Sequence, residues 1–133
     1  MKVKEIPFSL ARTLVLQSKS IRGLQQPNIG TIPVIVSMTS IPSRLHKVGL
    51  VVRSILTQST QPEHIILWLN EGMRDQIPEA LQKLTFARFS IRFTPLTCSH
   101  KKLIHTLEAF KDHVIVTCDD DFMYHPNWLS ALY

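Results

Sequence analysis

A chain of 133 residues has room for one modest α/β core, and with 44% hydrophobic and 19% charged residues it has enough apolar surface to fold. Intrinsic disorder is excluded for most of the length. The formal charge of +5 sits almost entirely in residues 1 to 30, where Lys2, Lys4, Arg12, Lys19 and Arg22 face Glu5 alone. The remainder is nearly neutral and carries no basic stripe of the kind nucleic acids require.

Residues 1 to 30 read as a leader: a short helix over about Ser9 to Lys19, then a turn-rich linker, Gln25-Gln26-Pro27-Asn28-Ile29-Gly30. A solvated segment is the simplest reading of it. A peripheral contact with an anionic membrane surface is the functional alternative. No stretch is long and apolar enough to span a membrane, and no signal-peptide pattern opens the chain, so a cytoplasmic protein is expected. Cys98 and Cys118 form no CxxC unit and are expected to be reduced and packed as small hydrophobes.

From residue 31 onward one α/β domain is expected. Ile32 to Met38 is an apolar, β-branched run without alternation, the pattern of a strand covered on both faces in a parallel sheet. Thr39 to Ser43 breaks it, with Ser43 as N-cap of a helix whose apolar face is Leu45, Val48, Val52, Ile55 and Leu56, ending near Gln58. Pro62 punctuates, and His64 to Leu69 forms a second buried strand, closing a βαβ unit. A short helix at Pro78 with Leu81 and Leu84 precedes a half-buried strand in which Phe89, Ile91 and Phe93 alternate with polar residues. A helix from about His100 to Phe110 is expected to turn Leu103, Ile104, Leu107 and Phe110 inward. The last strand, His113 to Cys118, runs directly into Asp119-Asp120-Asp121.

The fold class is thus α/β, a Rossmann-like, mostly parallel sheet flanked by helices. In such sheets ligands bind beyond the carboxyl ends of the strands, here Thr39-Ser40, Asn70-Glu71, the segment up to His100-Lys101-Lys102, and the three aspartates. Crowded carboxylates repel, and a hard divalent cation relieves the repulsion. Continued strand alternation points Asp119 and Asp121 to one side and Asp120 to the other, so Asp119 and Asp121 are assigned to Mn²⁺ or Mg²⁺. Such ions use one or two carboxylates and leave positions for phosphate oxygens, which suits a site beside Lys101 and Lys102. The six histidines show no HxH or HxxxH spacing and are read as structural.

Several stretches share one resemblance: Val36 to Arg44, Ile65 to Leu69, His100 to Leu103, and Val116 to Asp121 with Tyr124, Pro126 and Trp128. Together they resemble the N-terminal, nucleotide-sugar-binding half of glycosyltransferases with the GT-A fold, similar to family 2 enzymes, over residues 32 to 133. The resemblance implies that Asp119 and Asp121 form the DxD pair holding the cation on the diphosphate, with Asp120 at the middle, nucleotide-binding position. It implies that Thr39 and Ser40 approach the base and ribose, though they serve equally well as a helix-entry turn. Glu71 stands where many relatives place a base-binding Asp, and an exposed loop carboxylate is the competing reading. Lys102 (or Lys101) and Arg44 become candidate phosphate partners, with solvated positions as alternatives. Tyr124 and Trp128 could stack on an acceptor sugar, but core packing is the preferred reading.

The implied activity is transfer of a sugar from a nucleotide-diphosphate donor to a carbohydrate or other acceptor hydroxyl. In that family the acceptor pocket and catalytic base follow the DxD strand, so the chain is expected to be truncated after the motif, with its catalytic base unassigned. A noncatalytic nucleotide-binding module is the alternative from a different class.

Overall fold

The computed structural model describes residues 6–25 and 31–133. Val34, Ile35, Val36 and Met38 have no exposed surface, as a run without alternation requires. They build β1 (Thr31–Thr39), an inner strand of a four-stranded sheet ordered β3-β2-β1-β4, with β2 at Gln61–Asn70, β3 at Phe89–Thr94 and β4 at Val114–Thr117. Every pairing is parallel. The β1–β2 register shifts between Ile32 and Ile35, where Pro33 has no N–H to give to the ladder. Pro62, expected to precede the second strand, is its second residue, near the end where a missing donor is tolerated.

Helices cover both faces. α3 (Leu45–Leu56) buries Val48, Val51, Val52 and Ile55 on one face, in a core with Val36, Met38, Leu67 and Phe89. α4 (Glu79–Gln82) joins this layer through Leu81. Ser43 is not the N-cap of α3: it lies in a 3₁₀ turn, Pro42–Arg44, whose Arg44 N–H donates to the Ile41 carbonyl. The Pro42 ring presets that turn, so no side-chain cap is used. Gln58 lies past the helix; its amide donates to Ser54 and His125 carbonyls and accepts from Leu129 N–H, tying α3 to the terminal α6 (Trp128–Leu132).

The opposite face carries α5 (Lys101–Ala109), whose orientation departs from the apolar pattern. Leu103, Ile104 and Leu107 are 41%, 45% and 50% exposed, whereas Thr106 and Lys101 are buried. A polar pivot sets this rotation. Trp68 Nε1 donates to Thr106 Oγ1 at 2.8 Å, the Ser37 hydroxyl lies 2.8 Å from the same oxygen, and Thr106 Oγ1 donates to Lys102 O at 2.7 Å. Phe110 does turn inward, against Ile35, Ile66, Trp68 and Ile115.

Residues 6–25 are part of the domain. α1 (Ile6–Ser18) and α2 (Ile21–Gln25) pack on α3, burying Leu16 and Leu24. Arg53 donates to Leu16 and Lys19 carbonyls, Arg88 to Leu24, and Arg12 to Tyr124. The expected linker, apart from Gln25 at the end of α2, falls outside the described residues. No helix among the described residues is long and apolar enough to cross a membrane.

Candidate functional site

Strand order reverses between β1 and β4: the chain moves outward from β1 to β2 and β3, then crosses to β4 on the other side. The carboxyl ends of β1 and β4 splay their loops apart there, which opens a crevice. It holds a cleft of about 170 Å³ lined by Thr39, Ser40, Arg44, Ser99, Lys101, Lys102, Asp119 and Asp120. A second cleft of about 360 Å³, at the ends of β1 and β2, is lined by Ile41, Pro42, Asn70, Gly72, Met73 and Gln76. Ser40, Ile41, Thr97 and Lys101 border both, so the two make one continuous depression.

The aspartate run does not continue the strand. β4 ends at Thr117, and Asp120-Asp121 form a turn, so the alternation expected to pair Asp119 with Asp121 is lost. Asp119 borders the switch-point cleft, while Asp121 lines a neighbouring cleft with Lys47 and Phe122. Asp120 is the buried member, 5% exposed, accepting from Ser40 Oγ at 2.6 Å and Arg44 Nη1 at 3.0 Å. Its carboxylate fixes the β1 loop and borders the switch-point cleft. Asp119 is exposed and pairs with Lys102 Nζ at 3.0 Å, and Lys102 also donates to Cys118 O. The Asp119 N–H donates to Tyr124 Oη at 2.8 Å, so the tyrosine pins the start of the run.

Among the described residues no three His, Cys, Asp or Glu side chains converge as a metal cage. Asp119 and Asp121 are exposed but line different clefts, and Asp119 is paired with Lys102, so the described residues do not bring these two carboxylates of the run onto one cation; Mg²⁺ or Mn²⁺ can use a single carboxylate with phosphate oxygens and water.

Lys101 is the group that departs furthest from ordinary burial. It is 3% exposed, at the first position of α5, and borders both clefts. Its ammonium reaches only the Leu96 carbonyl, at a long 3.4 Å, and among the described residues no carboxylate pairs with it. Desolvation lowers its pKa. A buried ammonium has three donors to satisfy, and a phosphate entering the cleft supplies the missing acceptors. The N-terminal turn of α5 has no side-chain cap, but the Lys101 and Leu103 N–H groups donate to the Cys98 and His100 carbonyls, so the helix dipole rather than a set of free donors favours an anion there.

The remaining expected residues divide. Thr39 borders the cleft, but its hydroxyl donates to Trp68 O at 2.7 Å. Ser40, Arg44 and Lys102 converge on it as expected. Glu71 is exposed at the start of a 3₁₀ turn and borders neither cleft. Its neighbour Asn70 borders the larger cleft: its side-chain carbonyl oxygen accepts from Gly72 N–H, and its amide donates to Pro95 and Leu96 carbonyls, joining the β2 and β3 loops. The Asn-x-Gly turn was the readable signal for it. Tyr124 and Trp128 stack on each other at 4.2 Å and pack on the core. Four of the histidines, His64, His105, His113 and His125, bond to nearby groups in the fold.

The two cysteines are both free and differ in setting. Cys118 is buried beneath the run, and burial pushes its thiol up to about 12. Cys98 is exposed in the loop before α5, not packed as a small hydrophobe, because Pro95 to Ser99 arches away from the core. One equivalent of a thiol reagent is therefore expected to enter at neutral pH, at Cys98, with Cys118 reacting only after unfolding, as peptide mapping will show. The raised Cys118 pKa stabilises the fold fully below the unfolded thiol's ordinary range; that share is lost as pH climbs toward about 12.

No family model matches the chain, and no curated protein or solved structure matches it.

Proposed function

We propose that the depression at the sheet's switch point binds a nucleotide diphosphate, as the donor site of a nucleotide-sugar-dependent glycosyltransferase of the GT-A type. The carrying observation is Lys101, a buried ammonium without a counter-anion where the two clefts meet. Arg44, Lys102 and the N-terminal end of α5 add positive potential around it. The larger cleft, with Ile41, Pro42 and Met73 against Asn70 and Gln76, has the mixed lining that suits a base and ribose.

Asp119 would hold Mn²⁺ or Mg²⁺ against the diphosphate, and the cation would supply stabilisation of the charge on the leaving group. Lys101 and Lys102 orient the phosphates and neutralise their charge. The sugar passes to a carbohydrate or other acceptor hydroxyl. Two free thiols suit a reducing, cytoplasmic setting.

The Lys102–Asp119 and Arg44–Asp120 pairs also favour a second reading, since they balance two carboxylates without a metal. On that reading the chain is a noncatalytic nucleotide-binding module. Calorimetry of the chain with UDP and GDP, with and without Mn²⁺, separates the two. Binding at least about tenfold tighter with Mn²⁺, and that gain lost in Asp119→Asn/Asp121→Asn, supports the donor site. Equal affinity without metal supports the module.

Lys101→Met is expected to lower nucleotide affinity by about tenfold or more while leaving Tm unchanged or higher, because it removes an uncompensated buried charge. No binding of either nucleotide to the folded chain sinks both readings.

A further inference from the structure

We infer that the outward face of α1 is a docking surface for an anionic lipid bilayer. α1 is apolar on two sides, and among the described residues only one is covered. Leu16 packs against the domain, while Leu10, Leu14 and Val15 are 60%, 67% and 57% exposed. At helical spacing Leu10 and Leu14 form one stripe, and Ala11 and Val15 form the next, so an uncharged apolar band faces away from the protein. A band of this kind seeks a cover.

Charge identifies the cover. α1 has no acidic residue, and exposed Lys19 and Arg22 follow it. In sequence, Lys2 and Lys4 precede it with Glu5 as the only acid in the first 30 residues. Beside the band lies a groove of about 430 Å³, walled by Ala11, Val15, Leu16 and Pro126. Among the described residues, its only charged or titratable lining groups are Arg12, Lys19 and His125. A bilayer offers both complements in one layer: acyl chains for the leucines and phosphate headgroups for the cations. A second copy of this face would instead bring cations against cations. The candidate nucleotide site lies at the carboxyl ends of the strands and shares none of these groove residues, so the two properties stand or fall separately.

The test is flotation of the chain with vesicles of phosphatidylcholine alone and of phosphatidylcholine mixed with phosphatidylglycerol, at low and raised salt. Binding is expected to the anionic vesicles, about tenfold or more above the neutral ones, and to weaken with salt. Leu10→Ser/Leu14→Ser and Lys19→Glu/Arg22→Glu should each lower it by about tenfold or more with Tm unchanged, since the altered side chains are exposed. Leu103→Ser/Leu107→Ser removes comparably exposed leucines on α5 and should leave binding intact. Absence of binding to anionic vesicles overturns the inference. So does an equal loss in the α5 variant, which means general stickiness. Concentration-dependent dimers abolished by Leu10→Ser/Leu14→Ser, with no vesicle binding, reassign the face to a second copy.

Discussion

Replacing Thr106 by valine is expected to lower the unfolding free energy by about 2–3 kcal/mol, and Tm by roughly 6–15 °C for a domain of this size. The substitution keeps the shape and removes one oxygen with no exposed surface. Trp68 Nε1 then points at a methyl group in a place water does not reach, and a buried donor left without an acceptor carries its full desolvation cost. Ser37 is spared, because its hydroxyl also reaches Lys102 O at 2.6 Å. Thr106→Ser, which retains the oxygen, should cost less than half as much. Equal stability of the valine variant and the parent in thermal and urea unfolding would show that the hydroxyl does not anchor α5. The rotation of that helix, and with it the inward position of Lys101, would then need another cause.

The same residue shows where the sequence is legible. Buried parallel strands announce themselves as unalternating β-branched runs, and β1, β2 and β4 fall within a few residues of their expected bounds. α3 is equally readable because its apolar residues recur on one face and its one buried polar residue, Ser54, satisfies its hydroxyl on the helix's own Val51 carbonyl. α5 misleads for a physical reason. Leu103, Ile104 and Leu107 mark an apolar face, but Ser37 and Trp68 place polar atoms on the sheet beneath, and one threonine satisfying them decides which face turns in. Such a match is between positions 37, 68 and 106, too far apart for any periodicity to reveal.

The site was legible in the same uneven way. The ends of β1 and β4 were identified by the switch-point rule, and Ser40, Arg44, Lys102 and Asp119 do meet there. The division of labour among the aspartates was not legible, because it depends on the chain leaving the strand at Cys118. Lys101 and Lys102 look alike in sequence. One helical step puts the first inside the wall of both clefts and the second on Asp119.

Asp120 provides the second large effect. Asp120→Ala is expected to lower stability by about 2–4 kcal/mol, whereas Asp121→Ala, at an exposed turn position, should stay within about 0.5 kcal/mol of the parent. Most of the loss belongs to Ser40, 5% exposed, whose 2.6 Å bond to the carboxylate leaves only a long 3.4 Å contact with the Ile41 carbonyl in the apolar variant. The Arg44 pair contributes little by itself, since half of that side chain is in water and the attraction is screened. Asp120→Asn should therefore fall between the two, because an amide oxygen still accepts from Ser40 while the charge is gone. Thermal unfolding of the three variants ranks them directly. If Asp121→Ala proves as damaging as Asp120→Ala, the run works as one electrostatic unit and the separate structural role of its middle member is wrong. If Asp120→Ala costs most, Asp120→Asn less and Asp121→Ala least, the buried carboxylate holds the β1 loop against β4, and the cleft that contains Lys101 keeps its shape through that bond.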